Sequence, residues 1–306
     1  MNMKYIAAIV GFLVIGILGY FLVGHTPSAT PEGKISVVAS FYPMYFFASQ
    51  IGGDRADVIN VTPAGGEPHD YEPTAQDMTK IESANLVVLN GGGLEAWGDS
   101  VKQNIDPQKT TLVTVGEGLT TRRVVEDGED IVDPHVWLSP VLAEQIADKI
   151  EQGYAKADPA NADYYAKNAT NLKAKLVQLD TDYKQGLASC QRKDIITSHA
   201  AFGYLGATYG LNQVPISGLS PEAEPSAKDL ATVADFARKN GVKYIFFESL
   251  VSPKLSQTIA TEIGAQTLVL DPIEGIAADD LAAGQDYMSV MRSNLANLKI
   301  ALQCTQ

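Results

Sequence analysis

The stretch Asp158–Ser189, DPANADYYAKNATNLKAKLVQLDTDYKQGLAS, decides the fold. Asp158 is a good helix N-cap and Pro159 suits a first helical turn. From there to Ser189 no further proline interrupts the chain. Tyr165, Ala169, Leu172, Leu176, Leu179, Tyr183 and Leu187 recur at spacings of three and four, which draws one apolar stripe along a long helix. About 30 residues at about 1.5 Å each reach roughly 45 Å, more than one α/β lobe is wide. A linking helix over 158–189 is therefore predicted to run the length of two lobes as a rigid strut. The plainer alternative is a long surface helix of a single domain.

Working outward, the chain has the same texture on both sides. Ile35–Phe41, Val58–Val61, Leu86–Asn90 and Thr111–Val115 are short β-branched runs before it, and Asp194–His199, Val214–Ser217, Tyr244–Glu248 and Thr267–Asp271 follow it. Helical patterns separate most of them, as in βα units on a parallel sheet. The predicted fold class is α/β: two α/β lobes with central parallel sheets, residues 34–157 and 190–306, joined by the long backbone helix. A chain of 306 residues can give each lobe its own core. Two lobes leave a cleft, and ligands on such sheets gather at the carboxyl ends of the strands. No residue-level repeat relates the halves.

Residues 1–33 stand apart. After a basic start, Tyr5–Val23 is an uncharged, mostly apolar run of 19 residues, the length of one membrane span and longer than the core of most cleavable signals. An uncleaved anchor with the globular part exported is the expectation, ahead of a cleaved signal segment. No cysteine follows the run, so the usual lipoprotein anchor does not apply. With an export segment ahead of them, Cys190 and Cys304 are expected to form a disulfide that ties the last helix to the start of the second lobe; the alternative is two buried thiols. The net charge of -13 argues against nucleic acid, which needs a basic footprint.

Histidine is scarce, and its placement carries the chemistry. Of 4 histidines, His25 lies in the N-terminal segment, and the other three each sit at a βα junction. His69 is in Pro63–Pro73, where glycines allow tight turns and Pro68 and Pro73 stiffen the loop. His135 has the same Pro-His presentation within Asp133-Pro134-His135-Val136-Trp137-Leu138-Ser139-Pro140, and His199 ends a strand. Any one of them alone reads as a hydrogen-bonded structural histidine; three placed alike point to a metal site. Three imidazoles call for a fourth donor, and a carboxylate is the natural one. Asp271, at the end of the last strand, is the first candidate. Glu248, ending the strand before it, reads better as a cap or loop acceptor. No nucleophile elbow, HExxH helix, P-loop or dinucleotide fingerprint is present, so no enzyme is expected, with a zinc hydrolase using the same histidines as the weaker alternative.

Four stretches in order, Glu67–Pro73, Asp133–Pro140, His199–Tyr204 and Ser217–Ser226, resemble the metal-specific substrate-binding proteins of ABC transporters that import zinc or manganese. The likeness covers the chain from Lys34 to its end. It implies two α/β lobes on one backbone helix, with His69 and His135 from the first lobe and His199 and Asp271 from the second as ligands in the cleft. It further implies an extracytoplasmic or periplasmic monomer that hands its ion to a membrane permease, with surface adhesion as an alternative role. Members specialised for manganese often carry glutamate where His199 stands, and imidazole-rich sites suit Zn2+, so Zn2+ is expected with Mn2+ as the alternative. The chain departs from many zinc importers in one respect. Its segment Arg122–Asp133 carries Glu126, Asp127, Glu129, Asp130 and Asp133 where they have a histidine-rich loop.

Overall fold

The computed structural model describes residues 33–126 and 128–305. The expected membrane segment Tyr5–Val23 and His25 lie outside them. Among the described residues no helix is long and apolar enough to cross a membrane.

The first half runs β1 (Ile35–Ala39), α1 (Tyr42–Gly52), β2 (Ala56–Asn60), α2 (Ala75–Ser83), β3 (Leu86–Leu89), α3 (Gly98–Asn104) and β4 (Thr111–Thr114). Its strands form a parallel sheet of order β2-β1-β3-β4. Because side chains alternate along a strand, Val37 and Ala39 face the main core while Val38 faces a smaller one under α2 and α3. A two-stranded antiparallel hairpin follows, β5 (Arg123–Glu126) and β6 (Glu129–Val132), in the acidic segment. Next come α4 (Pro140–Ala157), a 3-10 turn at Pro159–Asn161, and α5 (Ala162–Leu187).

The second half runs β7 (Asp194–Thr197), α6 (Gly203–Tyr209), β8 (Asn212–Pro215), α7 (Ala227–Lys239), β9 (Tyr244–Phe247), α8 (Lys254–Ile263), β10 (Gln266–Val269), α9 (Ala278–Ala282) and α10 (Tyr287–Ala301). Its sheet is parallel as well, in the order β10-β9-β7-β8. The last helical stretch is in two pieces, α9 and α10. Gly284, at φ 86°, separates them, and Asp286 then caps α10 by accepting from the Ser289 amide.

The long helix α5 buries every residue of the stripe read from its sequence. Its 26 residues start later than Asp158, because Pro159 opens the 3-10 turn and the Asp158 carboxylate accepts instead from Tyr165 Oη at 2.6 Å. It packs on α1 and α4 of the first half and on α6 and α10 of the second. One hydrophobic cluster, from Val37 through Trp137 and Leu176 to Leu302, is continuous through both lobes. Tyr287 at the start of α10 stacks on Phe46 of α1 and donates from its hydroxyl to Trp137 O at 2.6 Å. Cys190 and Cys304 are disulfide-bonded, closing the chain's end onto the end of α5.

Candidate metal site

The donors come from loops at the carboxyl ends of both sheets. His69 follows β2. Its loop turns at Gly65, where φ is 75°, and is pinned downstream by the capping box of α2, in which the Thr74 hydroxyl accepts from Asp77 N. Tyr71 Oη donates to the same Asp77 carboxylate at 2.9 Å, and the Thr74 hydroxyl foremost holds its pKa down to about 2. His135 precedes a 3-10 turn at Val136–Leu138, and its own carboxylate neighbour orients it. Asp133 Oδ1 accepts from both His135 N at 3.0 Å and His135 Nδ1 at 2.9 Å. Asn90, at the end of β3, donates from Nδ2 to Pro134 O at 3.0 Å, and the buried Glu95 carboxylate accepts from the amides of Asn90 and Gly91. The Gly91-Gly92-Gly93 turn thus supports the His135 loop; a Cβ on Gly92 would lie 3.5 Å from Pro134. His199 follows β7, and its Nδ1 lies 2.7 Å from Glu248 Oε1.

Three of the four expected donors converge, and Glu274 completes the group. The donor atoms of His69, His135, His199 and Glu274 all lie within 4.8 Å of one another. Glu274 Oε1 is 3.3 Å from His69 Nε2, 3.1 Å from His135 Nε2 and 3.2 Å from His199 Nε2. His135 Nε2 is 3.4 Å from the Nε2 of each other histidine. A tetrahedral ion with bonds of about 2.0–2.1 Å to nitrogen keeps its donors about 3.3–3.4 Å apart, and five of the six donor separations here, at 3.1–3.4 Å, are of that order.

Asp271 is not in this group. Its carboxylate accepts from Ser249 Oγ and, through Oδ1, from Ile273 N at 2.7 Å. The strand end faces it toward the β9 loop, and the chain needs three more residues to bring a carboxylate over the histidines. Burial raises the Asp271 pKa to about 6. Glu248 takes the role of hydrogen-bond acceptor, on the ring nitrogen of His199 that faces away from the other donors.

The four donor groups are shifted in different directions by burial and by one another. Burial opposes charge on His199, but Glu248 and Glu274 outweigh it and hold its pKa well above the usual value. His135 is raised in the same way, burial being overcome by its hydrogen bonds to the Asp133 and Glu274 carboxylates. His69 is lowered, mainly by burial. Burial would raise Glu274, yet the His199 charge and the three imidazole contacts take it well below the usual carboxylate range. Glu67, whose Oε1 accepts from His69 N, is pushed up to about 8 by burial and by Glu274.

The family model of the zinc-uptake complex component A, periplasmic (ZnuA), matches residues 37–301. The chain belongs to the ZnuA family. The high-affinity zinc uptake system protein ZnuA of Bacillus subtilis (strain 168) is 40% identical over 287 residues, which cover 90% of each chain. The zinc-binding protein AdcA of Streptococcus pyogenes serotype M1 is 39% identical over 289 residues, 88% of this chain; the chain spans 56% of that protein's length. Among solved structures, the Zn(II)-bound ZnuA-like domain of Streptococcus pneumoniae AdcA is 40% identical with a TM-score of 0.76, over 88% of this chain and 99% of that one.

Proposed function

We propose that the protein is an extracytoplasmic carrier that captures Zn2+ between its lobes and delivers it to the membrane permease of an ABC importer. The convergence of three imidazoles and one carboxylate, drawn from both lobes, carries this reading. The donor set is nitrogen-rich, which suits zinc, whereas manganese favours oxygen. Four protein donors also fill a tetrahedral shell, while a hydrolytic zinc keeps a position open for water. His69 and His135 belong to the lobe 34–157, His199 and Glu274 to the lobe 190–306, and the helical segment 158–189 holds the two in register. The N-terminal segment would tether the carrier at the membrane.

The test is metal analysis of residues 34–306 together with competition titration. The expected result is one zinc per chain, tight binding lost in His199→Ala, and weaker binding of manganese. A chain that holds neither zinc nor manganese, and gains no thermal stability from either, would falsify the proposal. Preference for manganese would leave a carrier but change its cargo.

A further inference from the structure

Glu274 differs from the histidines in how it is delivered. Each histidine has a carboxylate or backbone partner beside it; Glu274 hangs on a loop, Asp271-Pro272-Ile273, that is pinned residue by residue. Asp271 is gripped at both ends of its backbone by the buried Asn294, which accepts from Asp271 N at 2.9 Å and donates to Asp271 O at 2.7 Å. Pro272 O accepts from Trp137 Nε1 at 2.7 Å, deep in the interface between the lobes. Ile273 N donates to Asp271 Oδ1. Ile273 itself has φ 58°, a left-handed conformation that a β-branched residue adopts only under constraint. That reversal sends the Glu274 side chain toward the histidines while Asp271 faces Ser249.

We infer that Asp271 and Trp137 are positioning residues that fix Glu274 as a donor through one oxygen. All three Nε2 atoms approach Oε1, at 3.1–3.3 Å. A carboxylate locked in that pose serves a small four-coordinate ion. A carboxylate freed to rotate can offer both oxygens, which larger ions with higher coordination numbers use. The two residues therefore act on selectivity as well as affinity. Trp137 adds a link across the cleft, because it lies two residues beyond His135 and so joins the His135 loop to the Glu274 loop.

The inference rests on the zinc-carrier reading, and the experiment separates the two. Zinc and manganese affinities are measured by competition for the wild type, Asp271→Ala, Asp271→Asn, Trp137→Phe and Glu274→Gln, and the visible spectrum of the Co2+ form is recorded for each. Asp271→Ala removes the acceptor for Ile273 N, whereas asparagine restores an amide oxygen there; phenylalanine at 137 keeps the ring and loses the donor. Partners behind metal ligands typically change affinity by about 10–100-fold. The expected result is a zinc loss of at least about 10-fold in Asp271→Ala and Trp137→Phe, manganese changed by less than about 3-fold, a weaker cobalt band, and near-wild-type behaviour for Asp271→Asn. If Asp271→Ala does not fold, Trp137→Phe decides alone. Zinc binding within twofold of wild type and an unchanged cobalt spectrum in the folded variants overturn the inference while leaving the carrier intact. A wild type that binds no zinc sinks the carrier reading itself.

Discussion

Replacing Glu248 with glutamine isolates the contribution of one charge to the site. Glu248 Oε1 lies 2.7 Å from His199 Nδ1 and is only 3% exposed. With Nε2 directed at the ion, Nδ1 carries the proton and donates to this carboxylate. The amide oxygen of glutamine still accepts that bond, so tautomer and ring orientation survive and only the charge is lost. A hydrogen bond to a charged group contributes about 1.5–3 kcal/mol against about 0.5–1.5 kcal/mol for a neutral one. The difference of about 1–2 kcal/mol predicts zinc binding weaker by about 5–30-fold at pH 8. The same charge also raises the His199 pKa and strengthens the competing proton. Its removal relieves that competition, so the gap between Glu248→Gln and wild type should narrow as pH falls from 8 to 6. The assay is competition against a chromophoric zinc chelator at each pH. Equal affinities at pH 8, or a gap that widens toward pH 6, would refute the reasoning.

Zinc itself should stabilise the protein more as pH rises. The raised pKa of His135 and His199 gives the metal-free form stability that is fully present below about pH 6.5 and lost as pH climbs through their folded values. The lowered Glu274 adds stability that is present above about pH 4.5 and lost as pH falls through its folded value. The zinc form needs neutral imidazoles, so the zinc-induced rise in Tm should be small at pH 5.5 and large at pH 8; a flat profile contradicts this. Reducing the Cys190–Cys304 bridge, which spans 114 residues, should cost about 2–4 kcal/mol in thermal or denaturant unfolding and leave zinc affinity nearly unchanged. Truncating the fully buried Leu176 to alanine should destabilise the strut by about 2–5 kcal/mol, measured in urea. Gly218→Ala places a methyl group where the Glu126 carboxylate of the hairpin lies, and it should raise the rate of proteolysis within 123–132 without altering zinc stoichiometry.

The long helix was legible because seven buried positions repeat at helical spacing over a proline-free stretch, a pattern that depends on local geometry alone. The same holds for the strands, whose β-branched runs match the observed elements to within a residue or two. The three histidines stood out because histidine is scarce and each lies in a short motif, Pro-His at 69 and 135 and just past β7 at 199. The fourth donor was not, for a physical reason. Asp271 and Glu274 are both acidic, both near the end of β10, and only the left-handed turn at Ile273 and the grip of Asn294, 23 residues away from Asp271, decide which one turns inward. Long-range hydrogen bonds leave no local pattern. Glu248 was read as an acceptor from its type and place, but not as the partner of His199, since their pairing crosses from β9 to β7. The hairpin at 123–132 went unread because its acidic residues mask the short apolar pair of Val124 and Ile131, which lie opposite one another across it.

The continuity of the core limits how such a carrier can open. Trp137 donates across the cleft to Pro272, Tyr287 fixes Trp137 from the other side, and one apolar cluster runs through both lobes. Swinging the lobes apart would break those buried bonds and expose that cluster together, whereas moving one loop would not. His135 and His199 are 0% exposed and Glu274 is 2% exposed, but His69 is 11% exposed. Among the donors, solvent therefore meets His69 first. Its loop is held upstream by Thr62, whose amide and hydroxyl both donate to Ser40 O, and downstream by the α2 cap, and it turns at Gly65 between them. A motion confined to the loop 61–74 would uncover His69 and leave the Trp137–Pro272 and Tyr287–Trp137 bonds in place, whereas parting the lobes would break the first of them and expose the shared core.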